Sequence, residues 1–305
     1  MRRRGRSPRG RSRKRRGITV APGASRRMVR ALRRRPDLAT LAGLVVAAAS
    51  LFGGFLLEEG TLDEIARLSP FLIVLGGTCG AVLVSFPLRQ VRRAVARIPD
   101  LLFPHEDAGL RPLMNELLGY SRTARRHGVL ALEDVLERIS DPFLKKGLEL
   151  AIDGTESSEI RRVMELESMV EQERHEEEAR VFESAGGYAP TVGIIGAVLG
   201  LIIVMKHIDA TDKIGPGIAV AFTATIYGVG SANLVFLPFA KKIRARARAL
   251  LQRQEFILQG VCAIAEGLNP RVSERILEAF LQPGHREAAA SPNAPVVQPM
   301  RETLQ

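Results

Sequence analysis

The residues of this sequence that could do chemistry lie inside long apolar segments and are small or weakly polar. One segment offers the hydroxyl of Thr225 and the amide of Asn233, and another contains Pro190 among closely spaced glycines. None of these segments contains a carboxylate, so the chain has no group of its own to carry a proton through a bilayer. The pattern favours a tight polar path around a group supplied by another chain, with ordinary helix packing as the alternative.

Spaced glycines and two prolines mark these segments further. Two glycine pairs have the four-residue spacing that lets helix backbones approach closely. Pro190 and Pro238 fall near one end of two adjacent segments, and proline removes a backbone donor and can kink a helix. Such a pair suits a hinge, although either proline alone could mark a helix end. The glycines predicted to serve helix packing are Gly76, Gly80, Gly193, Gly196, Gly200 and Gly228.

The elements that must position these residues are membrane helices. Four stretches of 20, 21, 22 and 27 residues contain no Asp, Glu, Lys, Arg or His. A helix of about 20 apolar residues crosses a bilayer core, and helices buried in soluble proteins are rarely so long without a charge. We therefore predict transmembrane helices, called spans one to four, at 38–57, 69–88, 185–205 and 214–239.

The predicted fold is an all-α membrane protein with four transmembrane helices in two hairpins and a helical cytoplasmic domain inserted between helices two and three. Lys and Arg flank the spans on the side of both termini, which places the termini in the cytoplasm. The charged stretch at 159–183 is expected to continue as a helix into span three. The predicted regions are a basic disordered tail at 1–36, the first hairpin at 37–88, the cytoplasmic domain at 89–184, the second hairpin at 185–240, C-terminal cytoplasmic helices at 241–282 and a disordered tail at 283–305.

The net charge of +11 belongs to the N-terminal tail. Residues 1–35 contain 15 Arg, one Lys and no acid, so the remainder is net acidic. Such a tail could bind nucleic acid or anionic lipid, but its place before a span favours a simpler role in keeping the N-terminus cytoplasmic. Met28 is an alternative start that would remove most of it.

Enzyme motifs are missing from the sequence. It contains no phosphate-binding loop, no nucleophile elbow and no paired Cys/His set, and its two cysteines lack metal-ligand spacing. We therefore predict neither an enzyme nor a bound metal or organic cofactor.

Several ordered segments resemble the A-subunit family of bacterial flagellar motor stators, the MotA/PomA group. The similarity covers about 37–281 and leaves the basic tail outside the family pattern. The segments are Asp37–Thr40 (DLAT), Leu72–Thr78 (LIVLGGT), Ala189–Gly196 (APTVGIIG), Gly215–Ala221 (GPGIAVA) and Thr225–Gly228 (TIYG), followed by Asn233 and Pro238.

The resemblance implies a torque-generating complex in the bacterial inner membrane. Five copies of such a subunit surround two copies of a B-type (MotB-like) subunit, which supplies one span, an essential aspartate and a peptidoglycan-binding domain. Ion flow would rotate the ring, and its cytoplasmic domains would turn the switch-complex protein of the rotor. Pro190 and Pro238 match the family's functional prolines. A buried aspartate is costly in hydrocarbon, so its protonation could switch its packing against spans three and four.

The resemblance also indicates the coupling ion and the rotor contact. Sodium-type members carry a threonine where this chain has Ala197, which argues for protons, while Thr225 matches a threonine shared in span four. Arg125 and Glu133 match charged residues that contact the rotor, with Arg126 beside them. Gly128 would end one helix before Glu133 begins the next, leaving both charges on one exposed corner.

Two other functions remain open from the sequence. The chain could belong to the ExbB/TolQ-like proton channels that energise outer-membrane processes, but those usually have three spans. It could also be a membrane-tethered nucleic-acid-binding protein that uses the basic tail, in which case binding would depend strongly on salt. Four clear spans count against the first, and the position of the tail counts against the second.

Overall fold

The computed structural model describes residues 37–103, 109–209 and 211–281, which form helices and short connections with no strand among them. The basic tail at 1–36, with Met28, and the tail at 283–305 lie outside the described residues. The first half of the described chain contains α1 Leu38–Leu57, α2 Leu62–Ile65, α3 Leu68–Phe71, a π-helical turn Leu72–Gly76, α4 Gly77–Ser85, α5 Leu88–Ala96, α6 Ile98–Leu102 and α7 Leu110–His127. The second half contains a 3₁₀ turn Val129–Leu132, α8 Glu133–Leu136, α9 Pro142–Ile152, α10 Ser157–Lys206, α11 Thr211–Ser231, a second π-helical turn Ala232–Phe236, α12 Leu237–Ala265 and α13 Pro270–Ala279.

All four predicted spans lie in helices that are long and apolar enough to cross a membrane. Span one is α1, and span two ends at Ser85 rather than at residue 88 because Phe86 and Pro87 adopt extended backbone that interrupts the helix. Spans three and four belong to two much longer helical runs, Ser157–Lys206 and Ile214–Ala265. The all-α membrane fold predicted from the sequence is therefore confirmed.

The two long runs join the membrane part to the rest of the molecule. At a rise of 1.5 Å per residue, the 50 residues of α10 extend about 75 Å, more than twice the thickness of a bilayer core. The charged stretch 159–183 continues into span three without a break, as predicted. The boundaries drawn at 184/185 and 240/241 fall inside α10 and α12, so the first C-terminal helix is a continuation of span four.

A bundle of α7, α9, α10, α12 and α13 forms the apolar core outside the membrane segments. Its most buried side chains include Leu117, Leu148, Met164 and Phe256, each 1% exposed or less. The local sequence signals act as predicted: Gly128 ends α7 with a φ of 84°, a conformation that favours glycine. Asp141 caps α9 by accepting hydrogen bonds from the next helical amides, with a proline at the first helical position.

Candidate functional site

Spans three and four pack backbone against backbone along the predicted glycines. A methyl group built at Gly228 would lie 2.6 Å from the carbonyl oxygen of Ala189 and 3.0 Å from Cα of Gly193. One built at Gly200 would lie 2.7 Å from the amide nitrogen of Ala221. Any larger residue would force the helices apart, so this interface requires the glycines.

The other predicted glycines behave differently. A methyl group at Gly196 would lie 2.8 Å from Cβ of Ala224, which extends the same interface. Gly76 and Gly80 have nothing within 4 Å of such a methyl group, so their four-residue spacing makes no close contact within the described chain. The close approach of span two falls at Gly77, where a methyl group would meet Val192 at 2.7 Å. The π-helical turn that ends at Gly76 changes which residue faces span three.

Pro190 and Ala197 share one side of span three because seven residues make two helical turns. Both are half-buried at the edge of the glycine interface, and the helix continues through Pro190 without ending. Beyond them the span exposes a row of apolar side chains that includes Ile194 and Val198. Pro190 and Ala197 therefore lie at the margin between the glycine interface and the wider face of span three that is open to lipid or to another chain.

Two weakly polar side chains of span four, Thr225 and Asn233, each donate a hydrogen bond to a backbone carbonyl of their own helix. Thr225 is exposed, and its hydroxyl donates to the carbonyl oxygen of Ala221 at 3.2 Å. The amide of Asn233 donates to the carbonyl oxygen of Val229 at 3.0 Å. These groups reach an exposed face without a side-chain partner there, so that face offers oxygens but no charge.

Pro238 follows directly after the second π-helical turn. It is exposed at the start of α12, four residues after a carbonyl that its missing N–H cannot bond. A π-helical turn takes up an extra residue, and such turns are common where helices bend and at functional sites. The sequence analysis singles out Pro238, but no sequence pattern indicates the π-helical turn before it.

Charged residues fasten these helices where they leave the membrane segments towards the bundle, and sequence reasoning missed them. Glu178 on α10 is 3% exposed and accepts hydrogen bonds from Nε of Arg97 at 2.8 Å and Nδ1 of His175 at 3.2 Å. Burial would raise the pKa of Glu178, but the hydrogen bond from His175 and the charge of Arg97 outweigh it and hold that pKa below its usual range.

A second group of ion pairs ties α12 to its neighbours. Arg244 binds Glu176 at 2.7 Å and Glu183 at 2.6 Å, and Lys242 binds Asp37 at the start of α1 at 2.5 Å. The hydrogen bonds from Arg244 hold the pKa of Glu176 below its usual range. The sequence does carry a signal for these ion pairs, because acidic residues precede span three and basic residues follow span four. Antiparallel packing of the two spans brings these oppositely charged segments together.

The predicted contact corner lies at the turn between α7 and α8. Arg125 and Arg126 are exposed in the last turn of α7, and Glu133 is exposed as the first residue of α8. Buried Ala124 and Leu132 hold the two sides of the turn against the bundle core. The structure thus presents these charges on neighbouring parts of one exposed turn.

Known proteins match both halves of the chain. Residues 41–127 match the family model described as Motility protein A N-terminal, and residues 135–255 match that of the MotA/TolQ/ExbB proton channel family. Motility protein A of Bacillus subtilis is 34% identical over 245 residues, which cover 80% of this chain and 91% of that protein. The chain belongs to the MotA family.

Solved structures support the same MotA fold. The chain matches one in the structure of C. jejuni MotAB with a TM-score of 0.76 and 34% identity, covering 81% of this chain and 96% of that one. It matches one in the flagellar MotAB stator complex of Bacillus subtilis with a TM-score of 0.76 and 33% identity, covering 84% and 100%. Four apolar helices and MotA family membership make the chain a multi-pass protein of the inner membrane.

Proposed function

We propose that this MotA-family chain is the A-type subunit of a flagellar motor stator and works as a channel and motor component rather than an enzyme. The observation that carries the proposal is the extent of the match: it includes the N-terminal MotA segment and spans 91% of a curated Motility protein A. The ExbB/TolQ-like alternative shares only the second family model. Four membrane helices, including the hairpin at α1–α4, favour the stator.

A partner must supply the titratable group. The membrane segments hold no carboxylate, and spans three and four close on each other through glycines. The margin of span three with Pro190 and Ala197, which borders its exposed face, is where a B-type subunit would place its span and its aspartate. Relatives have been solved as MotAB assemblies, which supports such a partner and an oligomer, proposed here as a pentamer around two B subunits.

Protons are the proposed coupling ion, with no other cofactor. Sodium needs several oxygens to replace its water, and the methyl group of Ala197 cannot provide one. The hydroxyl of Thr225 offers one oxygen, fewer than sodium needs. A proton requires only the partner's carboxylate, whose neutral form can sit against the apolar wall of spans three and four.

Torque would pass to the rotor through the long helices. Both termini and the α5–α9 region are proposed to be cytoplasmic because the flanking Lys and Arg lie on that side. Pro190 and Pro238 would act as hinges where the membrane pair meets the bundle. The exposed corner with Arg125, Arg126 and Glu133 would contact the switch-complex protein. At such a contact the charged side chains determine the alignment of the two surfaces more than the strength of binding.

Deletion of the gene tests the proposal directly. The deletion strain is expected to build filaments that do not rotate, and expression of the intact chain should restore swimming, also without sodium. A matched assay of outer-membrane uptake separates the ExbB/TolQ-like function, which predicts normal swimming and lost uptake.

Removing residues 1–35, with a new start codon, should leave swimming intact; loss of swimming with normal membrane insertion would instead assign the tail a function.

A further inference from the structure

The helix α5 lies where span two leaves the membrane segments towards the bundle. It begins at Leu88, after an extended link of two residues that follows the end of span two at Ser85. One side of α5 is packed: Ala94 is fully buried in an apolar cluster with side chains of α10 and α12. The side-chain amide of Gln90 donates to the backbone carbonyl oxygen of Glu177 at 2.9 Å. The position of α5 relative to the spans is therefore fixed.

The opposite side of α5 combines arginines with exposed apolar side chains. Leu88 and Val95 are 72% and 53% exposed, and Leu88, Arg92 and Val95 share one face because they are spaced by four and three residues. Arg89 and Arg93 are exposed on the adjoining face. Such a side fits the boundary between lipid and water, since apolar side chains can enter it while the arginine stems carry their charges back to the headgroups. The three arginines are called the arginine face of α5.

The arginine face has no anionic partner within the described part of the chain. None of its three guanidinium groups makes an ion pair or a hydrogen bond there, whereas Arg97, directly after α5, binds Glu178, and Lys242, after span four, binds Asp37. Like charges held close together repel one another, weakly in water and more strongly where water is excluded. An anion bound at this face would remove the repulsion.

The basic tail is attached on the same side of the membrane segments. The backbone amide of Asp37 donates to the carbonyl oxygen of Leu102, the last residue of α6, at 2.9 Å, and its carboxylate binds Lys242. Residues 1–35 contain 15 Arg, one Lys and no acid, which gives a charge of +16. Charges act over about 8 Å in physiological salt, so the run Arg33–Arg35 lies within range of headgroups around span one.

We propose that the arginine face of α5 and the basic tail together bind the headgroups of anionic phospholipids in the bilayer that holds the spans. A guanidinium group can donate two parallel hydrogen bonds to the oxygens of a phosphodiester. A zwitterionic headgroup carries its own cation beside the phosphate, so this surface selects lipids by net charge, and each basic residue near an anionic leaflet adds to the attraction. The inference goes beyond the stator function and does not depend on it.

Fluorescence quenching by brominated lipids tests the proposal. The protein contains no Trp, so Leu88→Trp, at an exposed position of α5, gives a single reporter beside the arginine face. The full chain is reconstituted in bilayers of equal parts phosphatidylglycerol and phosphatidylcholine, in which one lipid or the other carries the bromines. We expect brominated phosphatidylglycerol to quench the reporter several-fold more than brominated phosphatidylcholine, and the difference to shrink in high salt.

Removal of charge separates the two parts of the surface. The α5 variant carries Arg89→Gln, Arg92→Gln and Arg93→Gln beside the reporter. The control variant removes the same charge from exposed positions of α7 and α13 with Arg111→Gln, Arg122→Gln and Arg275→Gln. The excess quenching by phosphatidylglycerol should vanish in the α5 variant, decrease on removal of residues 1–35 and stay unchanged in the control. Should the α5 variant fail to insert, Arg92→Gln alone replaces it.

Four outcomes would overturn the proposal or one part of it. Equal quenching by the two brominated lipids, or excess quenching that survives in the α5 variant, would remove the arginine face as a lipid site. Quenching by neither lipid would show that a second copy of the chain covers α5. Loss of the excess when an equimolar DNA duplex is added in physiological salt would assign the tail to nucleic acid. Because swimming is no part of the measurement, each of these outcomes leaves the stator function standing.

Discussion

The membrane pair of spans three and four and the helical bundle outside the membrane segments are held together by different kinds of contact. In the membrane pair, glycine backbones lie against Ala189 and Ala221, whereas the bundle buries Leu, Ile and Phe side chains. A leucine in lipid gains little by moving from lipid tails to a neighbouring helix, so close backbone packing remains as the source of association. In water, each buried Leu or Phe contributes about 1.5–3 kcal/mol.

The long helix α10 contributes residues to both regions. The helix α10 carries Ile160 and Met164 into the bundle core and Gly193 and Gly200 into the membrane interface. One continuous helix therefore packs at one end in the bundle core and at the other in the membrane interface. Span one differs from both regions because none of its residues is buried within the described chain. Its apolar surface is available to lipid or to a second copy.

The largest effect is expected from breaking the membrane interface. Gly228→Val would place its Cβ 2.6 Å from the backbone oxygen of Ala189, which neither helix can accommodate without separating. We expect swimming to be abolished, with reduced thermal stability of the purified protein in detergent. The matched control is Gly230→Val, two residues along the same span, where a methyl group meets nothing within 4 Å. Equal stability of the two variants would contradict the packing argument.

A smaller effect is expected at the hinge between the regions. Pro190→Ala restores an N–H that can donate to the carbonyl oxygen of Gly186, which stiffens α10 where it enters the membrane. The protein should still insert, but tethered cells should rotate several-fold more slowly across the range of loads. Gly187→Ala, at an exposed position with free space, serves as the control. Normal torque in Pro190→Ala would refute the hinge.

The ion pairs outside the membrane segments should respond to pH. Glu178→Gln removes a buried charge that Arg97 and His175 bind, and we expect a cost of about 1–3 kcal/mol at pH 7. A carboxylate with a lowered pKa stabilises the fold fully above its ordinary value of 4.5 and loses that contribution as pH falls through its lowered value. The difference from the parent should therefore vanish in acid.

Thermal unfolding of the purified protein between pH 7 and pH 3 measures this change. Glu177→Gln is the control because the side chain of Glu177 makes no ion pair among the described residues. A melting temperature difference that stays constant with pH would show that Glu178 acts through packing alone. Equal losses of thermal stability in Glu177→Gln and Glu178→Gln would show that the ion pair of buried Glu178 does not cause the loss.

Sequence reasoning worked where one physical rule dominates and failed where distant residues meet. The spans follow from bilayer thickness, and the end of α7 follows from Gly128 because helix caps are local. The close approach at Gly77 instead of Gly76 depends on a π-helical turn that has no known spacing signal. The pair of Arg97 with Glu178 joins residues 81 positions apart, so only the folded chain reveals it.

The smallest effect is expected at Ala197. Ala197→Thr adds one hydroxyl on the half-buried side of span three, at a position whose neighbours include no charged group in the membrane segments. In a helix a threonine hydroxyl can donate to the carbonyl oxygen three or four residues earlier, as Thr225 does to Ala221. The variant therefore gains one oxygen, fewer than the several that sodium needs to replace its water. Swimming speed should therefore remain near that of the parent and stay independent of sodium, measured in media that differ only in exchanging sodium for potassium. Sodium-dependent swimming by the single variant would show that one oxygen at this position determines ion choice, and sodium-dependent swimming by the parent would overturn the assignment of protons.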